Sequence, residues 1–193
     1  MSLQTVQQAL AHIYTNSKLR DEFLTNPDVV GKTLNLTCLE IQQLSTISTK
    51  EINIFASSLK YKRLGEVRKL LPLTVKLLGN EFNKLFFSYA ETFLPSGNKK
   101  HLKDAIAFIK FILQQEFEVN WNRDIIRYEY LLLQRLNTKK LILGDRFNYP
   151  IPKLINSLEA VGLTVDINPK GCILLWFRWT TKHQWQFLTL PSF

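Results

Sequence analysis

Cysteine, glycine and proline are scarce in this chain of 193 residues, and each shortage excludes a class of structure. The two cysteines, Cys38 and Cys172, are 134 positions apart. A zinc knuckle or a disulfide framework needs more cysteines at closer spacing, so we expect two reduced, buried thiols. With only 7 glycines and 7 prolines, long unstructured stretches are not expected.

Long apolar runs are also missing. The longest is Cys172–Phe177, whereas a membrane-spanning helix needs about 20 apolar residues. The first residues, Met1–Thr5, lack the charged start and the apolar stretch of a secretory signal. The sequence therefore predicts a cytoplasmic protein in a reducing compartment, without a membrane segment.

Motifs that carry catalysis or bind metals are absent as well. The Gly-x-Ser-x-Gly, P-loop and Gly-x-Gly-x-x-Gly patterns do not occur. The histidines His12, His101 and His183 are far apart, and none lies four residues from another metal-ligating side chain. We expect no catalytic residue, no bound metal and no cofactor, and hence a binding or accessory protein rather than an enzyme.

Positive charge is the strongest compositional feature. The chain has 25 Lys and Arg residues against 16 Asp and Glu residues, a formal net charge of +9. Residues 57–110 hold 11 basic and 4 acidic side chains, whereas residues 1–56 hold 4 and 5. This excess predicts an anionic partner: nucleic acid, an acidic peptide or an acidic protein surface.

Much of the charge lies in one run, residues 57–76, with 6 basic side chains and 1 acidic side chain. A binding surface and an ordinary solvated helix face both explain this pattern. Nucleic acid is one candidate, although no recognition-helix, zinc-finger or aromatic RNA-binding motif accompanies the charge. The predicted partner-binding residues are Lys60, Lys62, Arg63, Arg68, Lys69 and Lys76.

Apolar residues recur at intervals of three and four through residues 3–136, which predicts helices. Asn16 and the capping-box pairs Thr37–Glu40 and Ser48–Glu51 mark helix starts. Pro72 and Gly79 are placed to end helices. The predicted helices cover about residues 3–14, 17–26, 38–44, 49–71, 73–78, 81–93, 102–114 and 123–136, the last of them capped by Asn122.

The pattern changes after residue 137. A helix led by Pro152 should run to Val161, and Gly144-Asp145 should end the first of several short strands. We therefore predict a mainly α protein, with a multi-helix bundle over residues 1–137 and a small α/β unit over residues 138–193. The predicted strands are Leu141–Leu143, Leu163–Ile167, Cys172–Trp179 and Trp185–Leu188.

The small unit is rich in aromatic residues, and the alternation within Cys172–Trp179 places Leu174 and Trp176 on one face. Because a peptide can add a strand to an exposed sheet edge, a groove between the Pro152-led helix and the sheet edge is a candidate docking site. Burial of both sheet faces within the chain is the alternative. The predicted peptide-binding residues are Leu154, Ile155, Leu158, Trp176, Trp179 and Trp185.

Residues 16–27 read Asn-Ser-Lys-Leu-Arg-Asp-Glu-Phe-Leu-Thr-Asn-Pro. With Leu36, Glu40, Leu44 and Phe55–Leu59, this stretch resembles the small helical subunit of aromatic-ring-opening dioxygenases. The small subunit of that family supports the large subunit and holds no metal. The resemblance thus implies a supporting role for this part of the chain.

A second and more specific stretch is Leu71–Phe82, which carries the pattern Pro-x-x-x-x-Leu-Leu-Gly-x-Glu-Phe. It is similar to the core of a bacterial family once thought to bind DNA, whose members are regarded as partner proteins of multinuclear non-haem iron oxidative enzymes. Tyr89, Pro95, Phe108 and Ile126–Tyr130 extend the similarity. The two resemblances together cover about residues 16–135, whereas residues 138–193 depart from the longer C-terminal domain expected in that family.

The resemblance implies a non-catalytic accessory protein. Such a protein docks on an iron-dependent, peptide-modifying oxygenase and helps to present a ribosomal precursor peptide in natural product biosynthesis. Its partners would be that enzyme and that peptide. Two alternatives stay open: a basic, nucleic-acid-binding transcriptional regulator, and a structural small subunit of an oxidoreductase.

The dispersed histidines and cysteines predict that the isolated protein binds no metal stoichiometrically. Metal analysis of protein purified without chelators should find far less than one iron or zinc ion per chain. One tightly held ion per chain would contradict the accessory role.

Overall fold

The computed structural model describes residues 3–115, 121–160 and 168–191. It is mainly helical with a small antiparallel sheet, which confirms the predicted fold class. No helix among these residues is both long and apolar enough to cross a membrane. The elements are α1 (Leu3–Thr15), α2 (Ser17–Thr25), α3 (Pro27–Thr33), α4 (Cys38–Ser45), α5 (Thr49–Leu70), α6 (Pro72–Leu78), α7 (Asn80–Thr92), α8 (Lys100–Leu113), α9 (Trp121–Asn137), β1 (Ile142–Phe147), α10 (Ile151–Ala160), β2 (Cys172–Phe177) and β3 (Gln186–Pro191).

The chain forms two compact units. The first consists of residues 1–65 and 87–94, and the second of residues 66–86 and 95–193. These units place the sheet together with α8 and α9, whereas the sequence pattern suggested a boundary at residue 137. Whether residues 1–137 form a domain that folds independently stays a prediction.

Local capping residues start the helices of the first unit as predicted. Asn16 caps α2 through its side-chain oxygen. Thr37 and Glu40 form the capping box of α4, in which the Thr37 N–H donates to Glu40 Oε2 at 2.8 Å and the Glu40 N–H donates to Thr37 Oγ1 at 3.4 Å. Ser48 and Glu51 repeat this exchange before α5, at 3.0 and 3.2 Å. The starts of these helices are therefore encoded locally.

Helix α3 was not predicted: the helix expected over residues 17–26 was expected to end near Pro27, because proline interrupts a helix. Pro27 is instead the first residue of α3, where the missing N–H of proline costs no helical hydrogen bond. The helix then packs tightly on α4: a Cβ atom at Gly31 would lie 2.4 Å from Ile41 Cγ1. The core of this unit contains Ala9, Ile13, Phe23, Val30, Leu36, Ile41, Leu44 and Ile52.

The expectation of a buried thiol is confirmed for Cys172 and wrong for Cys38. Cys172 is buried, but Cys38 is exposed at the first position of α4. That helix buries Ile41 and Leu44, and Cys38 precedes the turn that carries them. An exposed thiol therefore lies in the first unit.

In the second unit, α9 and α10 pack against a three-stranded antiparallel sheet in which β2 is the central strand. The register pairs Gly144 with Leu175 and Trp176 with Phe187. Burial alternates along β2 as predicted, with the side chain of Trp176 turned inward. The core contains Ile125, Leu131, Phe147, Ile151, Leu154, Leu158, Cys172, Leu174 and Trp176.

The predicted strand end at Gly144-Asp145 was wrong, because β1 continues through both residues to Phe147. A Cβ atom at Gly144 would lie 2.8 Å from the carbonyl oxygen of Leu174, so glycine permits the close approach of two strands here. Strand β2 ends at Phe177, two residues earlier than predicted, and β3 covers Gln186–Pro191. The predicted strand at residues 163–167 and the predicted helix end at residues 161–162 lie outside the described residues.

The buried carboxylate of Glu129 on α9 caps the N-terminus of α6. It accepts hydrogen bonds from the N–H groups of Leu73 at 2.8 Å and Thr74 at 2.7 Å. The residue before α6, Leu71, has no side-chain oxygen to do this, and Pro72 has no N–H. Burial raises the pKa of Glu129, and this effect outweighs the interactions with Thr74 and Leu73, which lower it.

Asp124, also on α9 and also buried, holds the link between β1 and α10. Its Oδ2 accepts hydrogen bonds from the N–H groups of Asn148 at 2.7 Å and Tyr149 at 3.1 Å, while its Oδ1 accepts one from Arg127 at 3.2 Å. Burial raises the pKa of Asp124. The prediction that Asn122 caps this helix was wrong, since α9 begins at Trp121 and Asn122 lies inside it.

The raised pKa of Glu129 predicts the sign of a pH effect. The folded pKa lies above the ordinary value of 4.5, so the stability contributed by this group is fully present below that value and is lost as pH rises through the folded pKa. Relative to Glu129→Gln, the wild-type free energy of unfolding should therefore fall as pH rises from 4 toward neutral. Urea titrations at a series of pH values measure this difference.

Glu22→Gln makes the same substitution at an exposed carboxylate and is the matched control. Glu129→Ala leaves two donors unpaired and should lose about 3 kcal/mol at neutral pH. A wild-type stability that rises with pH relative to Glu129→Gln would contradict the assignment.

Candidate functional site

A groove opens in the second unit between α9, α10 and the sheet, with a volume of ≈ 440 Å³. We call it the α9–α10 groove. Its walls are largely apolar and aromatic, as in sites that bind organic ligands or peptide side chains. The lining residues are Tyr128, Leu132, Arg135, Ile151, Pro152, Ile155, Asn156, Leu174, Trp176 and Phe187.

Regular spacing places these side chains together. Tyr128, Leu132 and Arg135 recur at four and three residues along α9, so they share one helix face. In α10 the same spacing brings Ile151 and Ile155 to the groove. Because side chains alternate along a strand, Leu174 and Trp176 of β2 face the groove together. Phe187 of β3, which pairs with Trp176, completes this wall.

Trp176 forms the floor of the α9–α10 groove. It is buried in the sheet face, with its ring centroid 6.0 Å from that of Tyr128 and 6.4 Å from that of Phe187, which it stacks against. Phe187, in contrast, is 63% exposed. An aromatic surface therefore extends from the core to the mouth of the groove.

Arg135 supplies the positive charge of this groove. Its guanidinium carbon lies 5.7 Å from the centroid of the Trp176 ring, a cation–π arrangement. Its Nε is buried and has no hydrogen-bond partner in the part of the chain that the structure describes. Burial raises the pKa of Tyr128, while the charge of Arg135 acts in the opposite direction, so the two side chains are electrostatic neighbours.

A second groove of ≈ 470 Å³ continues from the first, and the two share Tyr128, Leu132, Arg135 and Ile155. It reaches Pro72 and Leu73 of α6, and Glu129 of α9 also lines it. The carboxylate of Glu129 is occupied by the N–H groups that begin α6. Arg135 thus stands at the junction of two grooves.

Strand β3 borders the α9–α10 groove on its open side. It pairs with β2 and is the last strand of the sheet order, so its outer edge has no strand partner among residues 3–115, 121–160 and 168–191. Its residues, Gln186–Pro191, are all exposed and carry no charge. Such an edge presents main-chain N–H and C=O groups for pairing with another extended chain.

A third cavity of ≈ 550 Å³ lies at the other end of β3. Thr189 and Pro191, which share a strand face with Phe187, line this cavity. Lys153 and Lys170 line it as well. Positive side chains therefore occur at both ends of this strand face.

The structure brings together two of the six predicted peptide-binding residues, Ile155 and Trp176, in the α9–α10 groove. Leu154 and Leu158 are fully buried in the core. Trp185 lies under the guanidinium of Arg178, at 4.3 Å.

Trp179 is 75% exposed beyond the end of β2 and does not line the groove. The sequence interpretation missed the wall that α9 provides. The sequence pattern indicated the apolar stripe of that helix, but it did not indicate that the stripe packs against the sheet.

Most cations of the predicted partner-binding face contact the chain itself. In the first unit Lys60 pairs with Glu91, and Arg63 donates to the carbonyl of Phe93 at 3.0 Å. Lys62 is exposed, and within the described residues no ion pair or hydrogen bond of its side chain is found.

In the second unit Arg68 donates to Asn83 Oδ1 at 2.9 Å, and Lys69 pairs with Glu66 at 2.7 Å. Lys76 donates to the carbonyl of Leu158, near the end of α10. A docking role for these residues stays a prediction.

No protein-family model matches this chain, and no curated protein sequence matches it significantly. Among the described residues, no three His, Cys, Asp or Glu side chains come close enough to share a metal ion. The candidate site therefore rests on geometry alone.

The contacts of Lys60 and Lys62, two residues apart on α5, predict different effects of charge reversal. Lys60→Glu would place a carboxylate beside Glu91 and should lower the free energy of unfolding by about 1 kcal/mol. Lys62→Glu should change it by less than about 0.5 kcal/mol, because the side chain is exposed. Urea denaturation of both variants at low salt measures the contrast, and equal effects would refute it.

Proposed function

We propose that the chain is a non-catalytic accessory protein that holds an extended peptide in the α9–α10 groove and presents it to an iron-dependent oxidative enzyme. The groove beside an uncharged, exposed edge strand is the observation that carries the proposal. The peptide is taken to be a ribosomal precursor whose modification the enzyme catalyses. The enzyme partner is inferred from the family resemblance of residues 16–135.

Two interactions would hold the peptide. Main-chain hydrogen bonds to β3 supply affinity that is independent of sequence, and side chains that enter the groove supply selectivity. Phe187 and Trp176 offer a large apolar surface at the strand, and Ile155 offers one on the facing helix. An extended segment is the ligand that uses the strand edge and the groove together.

The first unit has its own exposed face, which suits an enzyme. Along α5, Ile54 and Tyr61 are exposed seven residues apart, hence on one side of the helix, and Lys62 is next to them. Exposed aliphatic and aromatic residues beside a free cation are typical of a surface that docks on a protein with acidic groups. The peptide and the enzyme would then use different parts of the chain.

Affinity purification of the tagged full-length protein from its natural source, with mass spectrometry of what is bound, tests the proposal. An iron-containing oxidative enzyme and a short ribosomal peptide should co-purify with the wild-type protein. Phe187→Lys puts a charge at the groove mouth, so it should lose the peptide and keep the enzyme. Circular dichroism should be unchanged, because Phe187 is exposed.

Leu188→Lys is the matched control, since it makes the same change on the opposite face of β3. It should keep both partners. Retention of the peptide by Phe187→Lys would contradict the groove. Tight binding of duplex DNA with a steep salt dependence would favour the nucleic-acid-binding alternative instead.

A further inference from the structure

Arg135 combines a position over an aromatic ring with a donor that lacks an acceptor. Its guanidinium carbon lies over the Trp176 ring, 5.7 Å from the centroid, while the Nε–H is buried without a partner among the described residues. A buried donor without an acceptor costs free energy, and unpaired donors are rare in folded proteins. A ligand carboxylate at the guanidinium would supply acceptors that the described residues do not.

The geometry of the guanidinium selects the ligand group. An arginine whose face is covered by an aromatic ring still presents N–H groups along its edge, in a planar fork that matches the two oxygens of a carboxylate. Arg135 is the charged residue among the described residues that line the α9–α10 groove. Apolar neighbours exclude water and so strengthen a charge-assisted hydrogen bond.

No acidic side chain of the described parts of the chain accepts a hydrogen bond from Arg135. Glu129 lines the adjoining groove, but its two oxygens accept from the Leu73 and Thr74 N–H groups. The carboxylate of Asp124, five residues before Glu129 on α9, accepts hydrogen bonds from the N–H groups of Asn148 and Tyr149. The guanidinium is therefore available to a ligand.

We propose that the peptide bound in the α9–α10 groove carries an acidic residue whose carboxylate binds the guanidinium of Arg135. A large apolar residue of the same peptide packs beside it, against Trp176 and Phe187. The inference rests on the proposed function, because it assigns the side-chain selectivity of the same groove. The recognised ligand is thus an extended peptide that combines an apolar and an acidic side chain.

A random library of linear 12-residue peptides displayed on phage is the probe, selected on the full-length protein. The selected peptides should be enriched in Asp or Glu at a fixed spacing from a large apolar residue. The strongest binder is then synthesised in two forms that differ by Glu→Gln, or Asp→Asn, at that position. Binding of the amide form to the wild-type protein should be weaker by about tenfold or more.

The same peptide pair is measured on Arg135→Gln and Arg135→Lys. Arg135→Gln should bind both forms with similar affinity, and Arg135→Lys should recover part of the preference, because it keeps the charge but not the fork. Lys139→Gln removes an exposed charge two residues beyond α9 and should retain the full preference. The comparison on the wild-type protein needs no folded variant.

Selected peptides without acidic enrichment, or an equal loss on the wild-type protein and on Arg135→Gln, would overturn the carboxylate assignment. In either case the groove could still bind peptides, provided that Phe187→Lys abolishes their binding. If no linear peptide is selected, or if Phe187→Lys has no effect, the proposed function fails instead. The two failures are therefore distinct.

Discussion

Two buried carboxylates on α9 organise the second unit. Glu129 supplies the acceptors that the start of α6 lacks, and Asp124 does the same for the two N–H groups that follow β1. Burial makes the charged form of each group costly, and the hydrogen bonds from the main chain offset that cost in part. Removal of either carboxylate would leave two main-chain donors unpaired, so both contacts constrain the helix.

The same constraint determines where the groove lies. With two contacts made five residues apart, α9 cannot rotate about its axis without breaking them. Its stripe of Tyr128, Leu132 and Arg135 therefore faces α10 and the sheet. The groove is therefore a consequence of how α9 is held.

Local chemistry allowed most of the fold to be predicted, since Thr37 and Glu40, or Ser48 and Glu51, satisfy each other within one helical turn. Features that depend on tertiary contacts were missed. Gly144 was predicted to end a strand, but it lies within β1, where the neighbouring backbone approaches closely. For the site, period-two and helical patterns located β2 and α10, whereas the contribution of α9 depends on packing between residues distant in sequence.

The part of the sequence richest in positive charge is not the part of the structure where a cation lacks a hydrogen-bond acceptor. The basic run of residues 57–76 has six cations close together in sequence, yet five of them contact oxygens of the chain itself. Arg135 lies outside that run and has a donor without an acceptor. A cation that is already satisfied gains little from a ligand, whereas an unsatisfied one beside an open strand edge gains a hydrogen bond and loses a desolvation penalty. Arg135 is for this reason the stronger indication of what the protein binds.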